Sequence, residues 1–280
     1  MRSKVSSFLS YEVFSTTTFI FNIQVANSAT QLIISESLTI IPEIKYEEFV
    51  LQNSATRFIK MEVEKGTNFS ISYEAEVDVL HELITDEKLL GSIPIIDLDN
   101  EVLPFISPSR YCESDKLLDF ANQQFGHLPN EFAKVKAINE WVYNSIAYKA
   151  GTSDSSRSAY DVLNLKEGVC KDFAHLAIAL CRALDIPARY FTGYAYALDP
   201  PDFHACFEAY VGGKWLFFDP TQLSIPNALV KIANAKDASE VAVASFFGEV
   251  NCTFMKIECH PVSADFTPFD KKENEAVSYG

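Results

Sequence analysis

The sequence predicts an α+β protein in which an all-β N-terminal domain precedes a mixed domain of helices and strands. Three observations support this fold class. Residues 1–106 contain short β-branched and aromatic runs at close spacing, without a helical pattern. Residues 173–184 are apolar on nearly every side, as in a helix buried in a core, and Pro187 ends that helix. Two aromatic-rich segments then flank Gly212 and Gly213, which is typical of a β-hairpin.

The composition indicates which binding partners and which cellular compartment to expect. The 280 residues are 48% hydrophobic, which is enough for a sizeable buried core. The net charge of −15 opposes binding to nucleic acid or to an anionic membrane, so we expect neither as a partner. The first apolar stretch, residues 19–25, is interrupted by Asn22 and Gln24, and no run approaches the ~20 apolar residues that span a bilayer. We therefore expect a cytoplasmic protein, and its six scattered cysteines do not suggest a disulfide framework.

The N-terminal region is predicted to form a β-sandwich domain over residues 1–106. Its strands are expected at residues 18–25, 32–40, 56–63 and 68–79. Residues 97–101 are acidic but lack the glycine and the spacing of a calcium loop, so we interpret them as a solvated connection. A proline-containing segment at residues 103–110 is the predicted linker.

The second domain is predicted to begin with helices. One helix follows Ser114 and stops at Gly126, and another starts at Asn130 and carries one apolar face. A short strand at residues 146–148 and a polar loop at residues 149–158 come next. This loop leads to the buried helix and is expected to border a substrate cleft.

Cys170 lies at the predicted start of the buried helix, two residues after Gly168, which can adopt the backbone angles of a sharp turn. The unpaired N–H groups and the dipole at a helix N-terminus favour the thiolate, which is the reactive form of cysteine. Taken alone, Cys170 is more simply explained as a small buried core residue, because a nucleophile needs a partner base.

A candidate base lies in the glycine hairpin. With the two glycines as the loop, Val211 faces Lys214, and His204 and Asp219 become diagonal neighbours on one face. A carboxylate in that position can fix the tautomer of an imidazole and stabilise its charged form. These local patterns do not show whether Cys170 lies near His204.

Four motifs, in this order along the chain, resemble the transglutaminase-like superfamily, and more narrowly its bacterial branch of candidate cysteine proteases. They are Gly168-Val169-Cys170 with Asp172-Phe173-Ala174, Ile186-Pro187-Ala188-Arg189, His204-Ala205, and Asp219-Pro220-Thr221. The segment 141–148 also resembles the helix-to-strand approach of that family.

The resemblance implies a papain-like catalytic core at residues 107–260. This core would lie between an N-terminal β domain, which bacterial relatives commonly have, and a C-terminal extension at residues 261–280. It implies Cys170 as the nucleophile, His204 as the base and Asp219 as the orienting acid, without a metal or an organic cofactor. The implied substrate is a peptide or a protein.

The chain departs from the family pattern at two positions. Cys206 stands where many relatives have an aromatic residue, and Asp185 stands where a helix-ending glycine is usual. His175 points ~140° away from Cys170 on the helix, so we interpret it as a core histidine rather than as the base. Two combinations offer metal ligands: Cys170, His204 and Cys206, and Cys252, Cys259 and His260. No Cys-x-x-Cys spacing supports a zinc site.

Beyond the hairpin we expect a polar segment that continues to residue 240. Two strands, at residues 241–247 and 252–259, are then expected to close the catalytic sheet, as in relatives of the family. The last ten residues, 271–280, are mostly polar and are expected to be frayed.

Three functions are compatible with these features. The first, which we predict, is a cysteine protease or amidase that transfers the acyl group to water. The second is a transglutaminase that joins a glutamine side chain to a lysine. The third is a non-catalytic binding module on the same fold, and the intact set of Cys170, His204 and Asp219 argues against it.

Overall fold

A computed structural model describes residues 1–51, 54–85, 91–262, 266–269 and 275–280 of the chain. The strands in these ranges are β1 (Arg2–Val13), β2 (Thr17–Phe21), β3 (Gln31–Ile41), β4 (Tyr46–Val50), β5 (Arg57–Val63), β6 (Asn68–Val79), β7 (Glu82–Thr85), β8 (Ala147–Tyr148), β9 (Glu167–Gly168), β10 (Ala188–Ala195), β11 (Phe203–Val211), β12 (Lys214–Phe218), β13 (Leu229–Ala235), β14 (Ala244–Phe247), β15 (Val250–Pro261) and β16 (Glu275–Ser278). The α-helices are α1 (Leu118–Phe125), α2 (Glu131–Ser145), α3 (Ala159–Leu165) and α4 (Cys170–Arg182). Within the described ranges, no helix is long and apolar enough to cross a membrane.

Two four-stranded antiparallel sheets form the N-terminal layers, with strand orders β15-β1-β6-β3 and β14-β2-β5-β4. Aromatic rings join the two sheets: Tyr11 and Phe69 of one sheet contact Phe19 of the other, with centroids 5.4 Å and 5.1 Å from it. The predicted β-sandwich is therefore present. Sequence analysis did not predict β1, although its buried positions alternate with more exposed ones, because serines occupy two of its buried positions.

The mixed region is built on a six-stranded sheet with the order β13-β10-β11-β12-β16-β7. Helix α4 packs against β10 and β11, while α2 and α3 pack against α4. The α4 residues from Asp172 to Arg182 are all buried, which explains the nearly uniform apolar composition of this helix. The α+β fold class predicted from the sequence is confirmed.

The strand pairing crosses the domain boundaries that the sequence predicted. Strands β14 and β15 were expected to close the catalytic sheet, but they pair with β2 and β1 of the sandwich. The physical reason is that β1 is a long central strand that needs a hydrogen-bonding partner on each side, and β15 matches it in length. Residues 107–260 therefore contribute strands to both regions of the molecule.

The C-terminal segment is more ordered than the sequence predicted. Residues 271–280 were expected to be frayed, but β16 pairs with β12 and β7, and Ala276, Val277 and Tyr279 are buried. Residues 271–274 lie outside the described part of the chain. Tight packing of these apolar side chains outweighs the polar composition of the segment, so the predicted extension at 261–280 includes a strand of the central sheet.

The segment before residue 240, which was expected to be polar, contains a buried strand. Strand β13 lies within it and is almost entirely buried. Its polar character comes from Lys231 and Asn234, whose side chains both contact the buried carboxylate of Glu208. The sequence alone shows the charge of the lysine but not the buried partner that the fold provides.

The sandwich and the central sheet are joined by a buried hydrogen bond. Tyr194 of β10 donates its hydroxyl to the backbone carbonyl of Ile23 at 2.6 Å and lies 3.0 Å from Ser7 Oγ. Tyr194 is fully buried, so removal of its hydroxyl would leave these polar groups without this partner in a dry environment.

We expect Tyr194→Phe to lower the free energy of unfolding by about 1–2 kcal/mol. Denaturant titration followed by far-UV circular dichroism measures this change, and the two regions should unfold in a single transition. The control is Tyr196→Phe. The ring of Tyr196 contacts Phe266, and its hydroxyl bonds to none of the described residues. Equal stability of both variants and the wild type would contradict this account of the junction.

Candidate active site

Cys170 begins α4, and two neighbouring residues fix the start of that helix. The Val169 backbone N–H donates to Asp172 Oδ2 at 2.9 Å, which satisfies an amide at the helix N-terminus. Asp172 is fully buried, and a Cβ atom at Gly168 would lie only 2.6 Å from the Cβ of Asp172. A glycine is therefore required near the cysteine so that the capping carboxylate fits.

The polar loop at residues 149–158 is anchored to the same helix terminus. Ser153 donates its hydroxyl to Asp172 Oδ1 at 2.9 Å, and Lys171 Nζ donates to the carbonyl oxygen of Asp154 at 2.7 Å. Cys170, which is half-buried, lies beside Lys171 at the base of this loop. These contacts place the loop next to the helix terminus that carries Cys170.

The glycine hairpin has the predicted register. Val211 pairs with Lys214, and the two loop glycines have φ angles of 59° and 81°, as a two-residue type I′ turn requires. This register places His204 Nε2 2.8 Å from Asp219 Oδ2. The prediction that these two side chains are neighbours on one face is confirmed.

Both oxygens of the Asp219 carboxylate accept further hydrogen bonds. Oδ1 accepts from the backbone N–H of Thr221 at 2.9 Å and from its hydroxyl at 2.7 Å, and Oδ2 accepts at the same two distances from Ser224. Burial favours the neutral acid, but the charge of His204 and these hydrogen bonds outweigh it, so the pKa of Asp219 lies well below its usual range. Asp219 is thus a buried carboxylate with a fixed charge and orientation.

The imidazole of His204 links Asp219 to Cys170. Its side chain is 1% exposed, and burial favours the neutral ring. The Asp219 carboxylate and the adjacent Cys170 side chain outweigh burial and raise the pKa of His204 well above its usual value. Because Nε2 contacts Asp219, Nδ1 is the ring nitrogen left for the thiol. The structure thus brings together all three residues that the sequence analysis selected.

Tyr148 also lies at Cys170, and the sequence analysis did not select it. Strand β8 pairs in parallel with β9, which places Tyr148 opposite Gly168. Its hydroxyl lies near the Cys170 backbone N–H, and burial and the neighbouring Cys170 raise the pKa of Tyr148, so the phenol stays protonated. A parallel pairing of two residues has no sequence signal of its own; the short strand predicted at 146–148 was the available clue.

His175 is a core histidine, as interpreted from its direction on the helix. Its ring lies between those of Tyr111 and Tyr190, with centroids 5.0 Å away on each side. Its Nε2 accepts the backbone N–H of Ala238 at 3.2 Å. Burial lowers the pKa of His175 to about 3, so the ring is neutral. It therefore carries no charge that could stabilise a Cys170 thiolate.

Asp185 preserves the helix ending that the family pattern assigns to glycine. Its φ angle is 60°, which is the left-handed conformation that follows many helices. The Ile186 backbone N–H donates to the Cys181 carbonyl oxygen at 3.0 Å and closes the helix end. Aspartate tolerates this conformation better than most residues, so the departure does not disturb α4.

One group of possible metal ligands is present in the described part of the chain. The ligand atoms of His204, Cys206 and Asp219 lie within 4.8 Å of one another, and all three residues are buried. The donor set fits a metal poorly, because the Asp219 oxygens already accept hydrogen bonds from Thr221, Ser224 and the histidine. Burial raises the pKa of Cys206 to about 12, so its thiol stays protonated. The second predicted combination, Cys252 with Cys259 and His260, does not form such a group among the described residues.

Two family models and a solved structure match this chain. The family described as the transglutaminase-like superfamily matches residues 119–220, and the family described as the N-terminal domain of bacterial transglutaminase matches residues 1–101. A solved structure from Cytophaga hutchinsonii, described as a "putative cysteine protease", is 47% identical, covers 100% of this chain and 98% of its own, and superposes with a TM-score of 0.98.

Curated relatives include uncharacterized proteins of mycobacteria. A Mycobacterium leprae protein is 28% identical over 161 residues, which are 55% of this chain and 57% of the relative. A Mycobacterium bovis protein is 31% identical over 146 residues, which are 46% of this chain and 45% of the relative. The chain thus spans about half the length of these relatives. The family matches and the structural match establish that this chain belongs to the transglutaminase-like superfamily and carries the N-terminal domain of bacterial transglutaminases.

Proposed function

We propose that the protein is a thiol-dependent amide hydrolase, a cysteine protease or amidase, that acts through Cys170, His204 and Asp219. The observation that carries this proposal is the position of the Cys170 side chain beside the His204 imidazole, whose Nε2 is hydrogen-bonded to the Asp219 carboxylate at 2.8 Å. The description of the Cytophaga hutchinsonii protein as a "putative cysteine protease" supports the same class of reaction.

The proposed reaction begins with proton transfer from the Cys170 thiol to His204 Nδ1. The thiolate forms a bond to the carbonyl carbon of the substrate amide, and the carbonyl oxygen becomes an oxyanion. The imidazolium then returns its proton to the amide nitrogen, the C–N bond breaks, and the amine leaves behind a thioester. His204 next takes a proton from water, hydroxide displaces the sulfur, and the carboxylic acid leaves while Cys170 recovers its proton.

Each neighbour of His204 has a defined task in this scheme. Asp219 keeps Nε2 protonated and stabilises the imidazolium, because its own charge is held by Thr221 and Ser224. The backbone N–H of Cys170 at the start of α4 donates to the oxyanion. We assign the second donor to the Tyr148 hydroxyl, which lies near that N–H and is protonated.

The acceptor of the acyl group distinguishes hydrolysis from transamidation. We expect casein incubated with the protein to show new cleavage products or deamidated glutamines, without incorporation of a labelled primary amine. Cys170→Ala should lower the rate roughly 10⁴-fold, because no other group can form the thioester. Mass spectrometry of the products measures both outcomes. Cys252→Ala, which removes an exposed cysteine, is the matched control. Amine incorporation would instead show a transglutaminase, and an inactive wild type would favour a binding module.

We expect Asp219→Asn to lower the pKa of His204. The carboxylate opposes the effect of burial on the imidazole, so its removal lets burial dominate, and the imidazolium is then lost at a lower pH. Titration of the ¹⁵N-labelled imidazole by NMR measures the shift directly. The control Thr221→Val keeps the carboxylate and should change the titration much less. Identical titration of His204 in the wild type and in Asp219→Asn would contradict the assigned role of Asp219.

We expect Tyr148→Phe to lower kcat about 10²-fold with little change in KM, because an oxyanion donor acts on the transition state more than on bound substrate. Steady-state kinetics on the substrate found with casein peptides measures this effect. Tyr143→Phe is the matched control, since Tyr143 and Tyr148 are both 46% exposed. An unchanged or higher kcat in Tyr148→Phe would mean that the hydroxyl only occupies the space above the Cys170 N–H.

A further inference from the structure

A cavity lies between the sandwich and the central sheet, and Cys170 is not among its described lining residues. Its volume is about 790 Å³, and it is lined by Arg189 of β10, Lys231 of β13 and Trp215 of β12, together with loops of the N-terminal domain and the linker. None of Cys170, His204 and Asp219 is among the described residues that line it. Cavities that bind small molecules in proteins have volumes of about 300–1,000 Å³, so this one has room for such a ligand.

Two cations share a single buried carboxylate beside this cavity. Glu208 is fully buried, and its Oε2 accepts from Arg189 Nε at 2.5 Å and from Asn234 Nδ2 at 3.0 Å. Lys231 Nζ lies 3.6 Å from Oε1 of the same carboxylate. The group of Glu208, Arg189 and Lys231 therefore carries one more positive charge than negative charge when all three are ionised.

Among the residues that the structure describes, Lys231 has no close acceptor for its ammonium group. Its side chain is 9% exposed, and its contact with Glu208 is longer than a hydrogen bond. In the described part of the chain its remaining contact is with the face of the Phe191 ring, at 5.5 Å from the centroid. Burial of a charge without a hydrogen-bonded partner is costly, and burial together with repulsion by Arg189 lowers the pKa of Lys231. An anion bound in the cavity would supply the missing acceptor.

The wall beside these cations is aromatic. The guanidinium of Arg189 lies 4.1 Å from the centre of the Trp215 ring system, and the rings of Tyr210 and Phe105 pack against Trp215 at 5.2 Å and 5.3 Å. An apolar or aromatic group can pack there while an attached anionic group reaches Lys231. Three acidic residues in the exposed part of the lining, Asp99, Glu101 and Glu240, would repel a polyanion such as a nucleotide.

We propose that this cavity binds a small organic monocarboxylate, whose carboxylate pairs with Lys231 and whose apolar body packs against Trp215. The proposal is independent of the proposed hydrolase activity, because it uses none of the residues around Cys170.

The test uses benzoate as the probe and benzamide as its uncharged analogue of nearly the same shape. Titration of the full chain is followed by the NMR signal of the Trp215 indole N–H, which Trp141→Phe distinguishes from the signal of the other tryptophan. We expect a saturable shift of the Trp215 signal with benzoate and none with benzamide. In Lys231→Met the apparent affinity for benzoate should fall at least tenfold.

Two comparisons separate this proposal from a purely structural role of the lysine. Lys231→Met leaves Glu208 paired one-to-one with Arg189, so we expect its thermal midpoint to equal or exceed that of the wild type. Lys214→Met removes an exposed lysine next to Trp215 and should bind benzoate as the wild type does. Equal shifts with benzoate and benzamide, the absence of saturation, or unchanged benzoate affinity in Lys231→Met would each overturn the proposal. The first two results come from the wild type, so they hold even if the variant does not fold.

Discussion

The contact between the Asp219 carboxylate and the His204 imidazole is the interaction on which the candidate active site depends. A buried carboxylate is stable only when its charge is paired and its oxygens are hydrogen-bonded, and Thr221, Ser224 and the histidine meet both conditions. The hairpin register brings the histidine and the aspartate together, because a shift of one residue would place them on opposite faces. The two loop glycines, with φ angles of 59° and 81°, hold that register.

The position of the candidate site is also tied to the sandwich, although the sandwich contributes none of the three residues. Strand β15 pairs with β1, strand β14 pairs with β2, and Tyr194 of β10 bonds to the backbone after β2. The strand that carries His204 thus lies next to a strand that is fixed to the sandwich. This arrangement makes the two regions one packed unit, and the cavity at Lys231 lies where they meet.

The sequence predicted the parts of the structure that short-range rules control. The hairpin register follows from the positions of the two glycines, and the place of Cys170 at the start of α4 follows from the turn at Gly168 and the apolar run after it. It could not predict pairings between distant segments, because the alternation in β15 fits the sandwich sheet as well as the central sheet. The contact of Tyr148 with Cys170 was missed for the same reason, since it depends on a parallel pairing of only two residues.

Strand β11 carries two charged groups on one face, and the difference between their surroundings accounts for their different proposed roles. At His204 the cation is matched by one carboxylate, and the ring lies beside the half-buried Cys170 thiol. At Glu208, four residues or about 13 Å further along the strand, the carboxylate faces two cations, Arg189 and Lys231. Cys206 lies between them as a buried, neutral thiol. A small uncharged side chain at this position separates the two groups without adding charge to either, which gives the departure from the family's aromatic residue a physical basis.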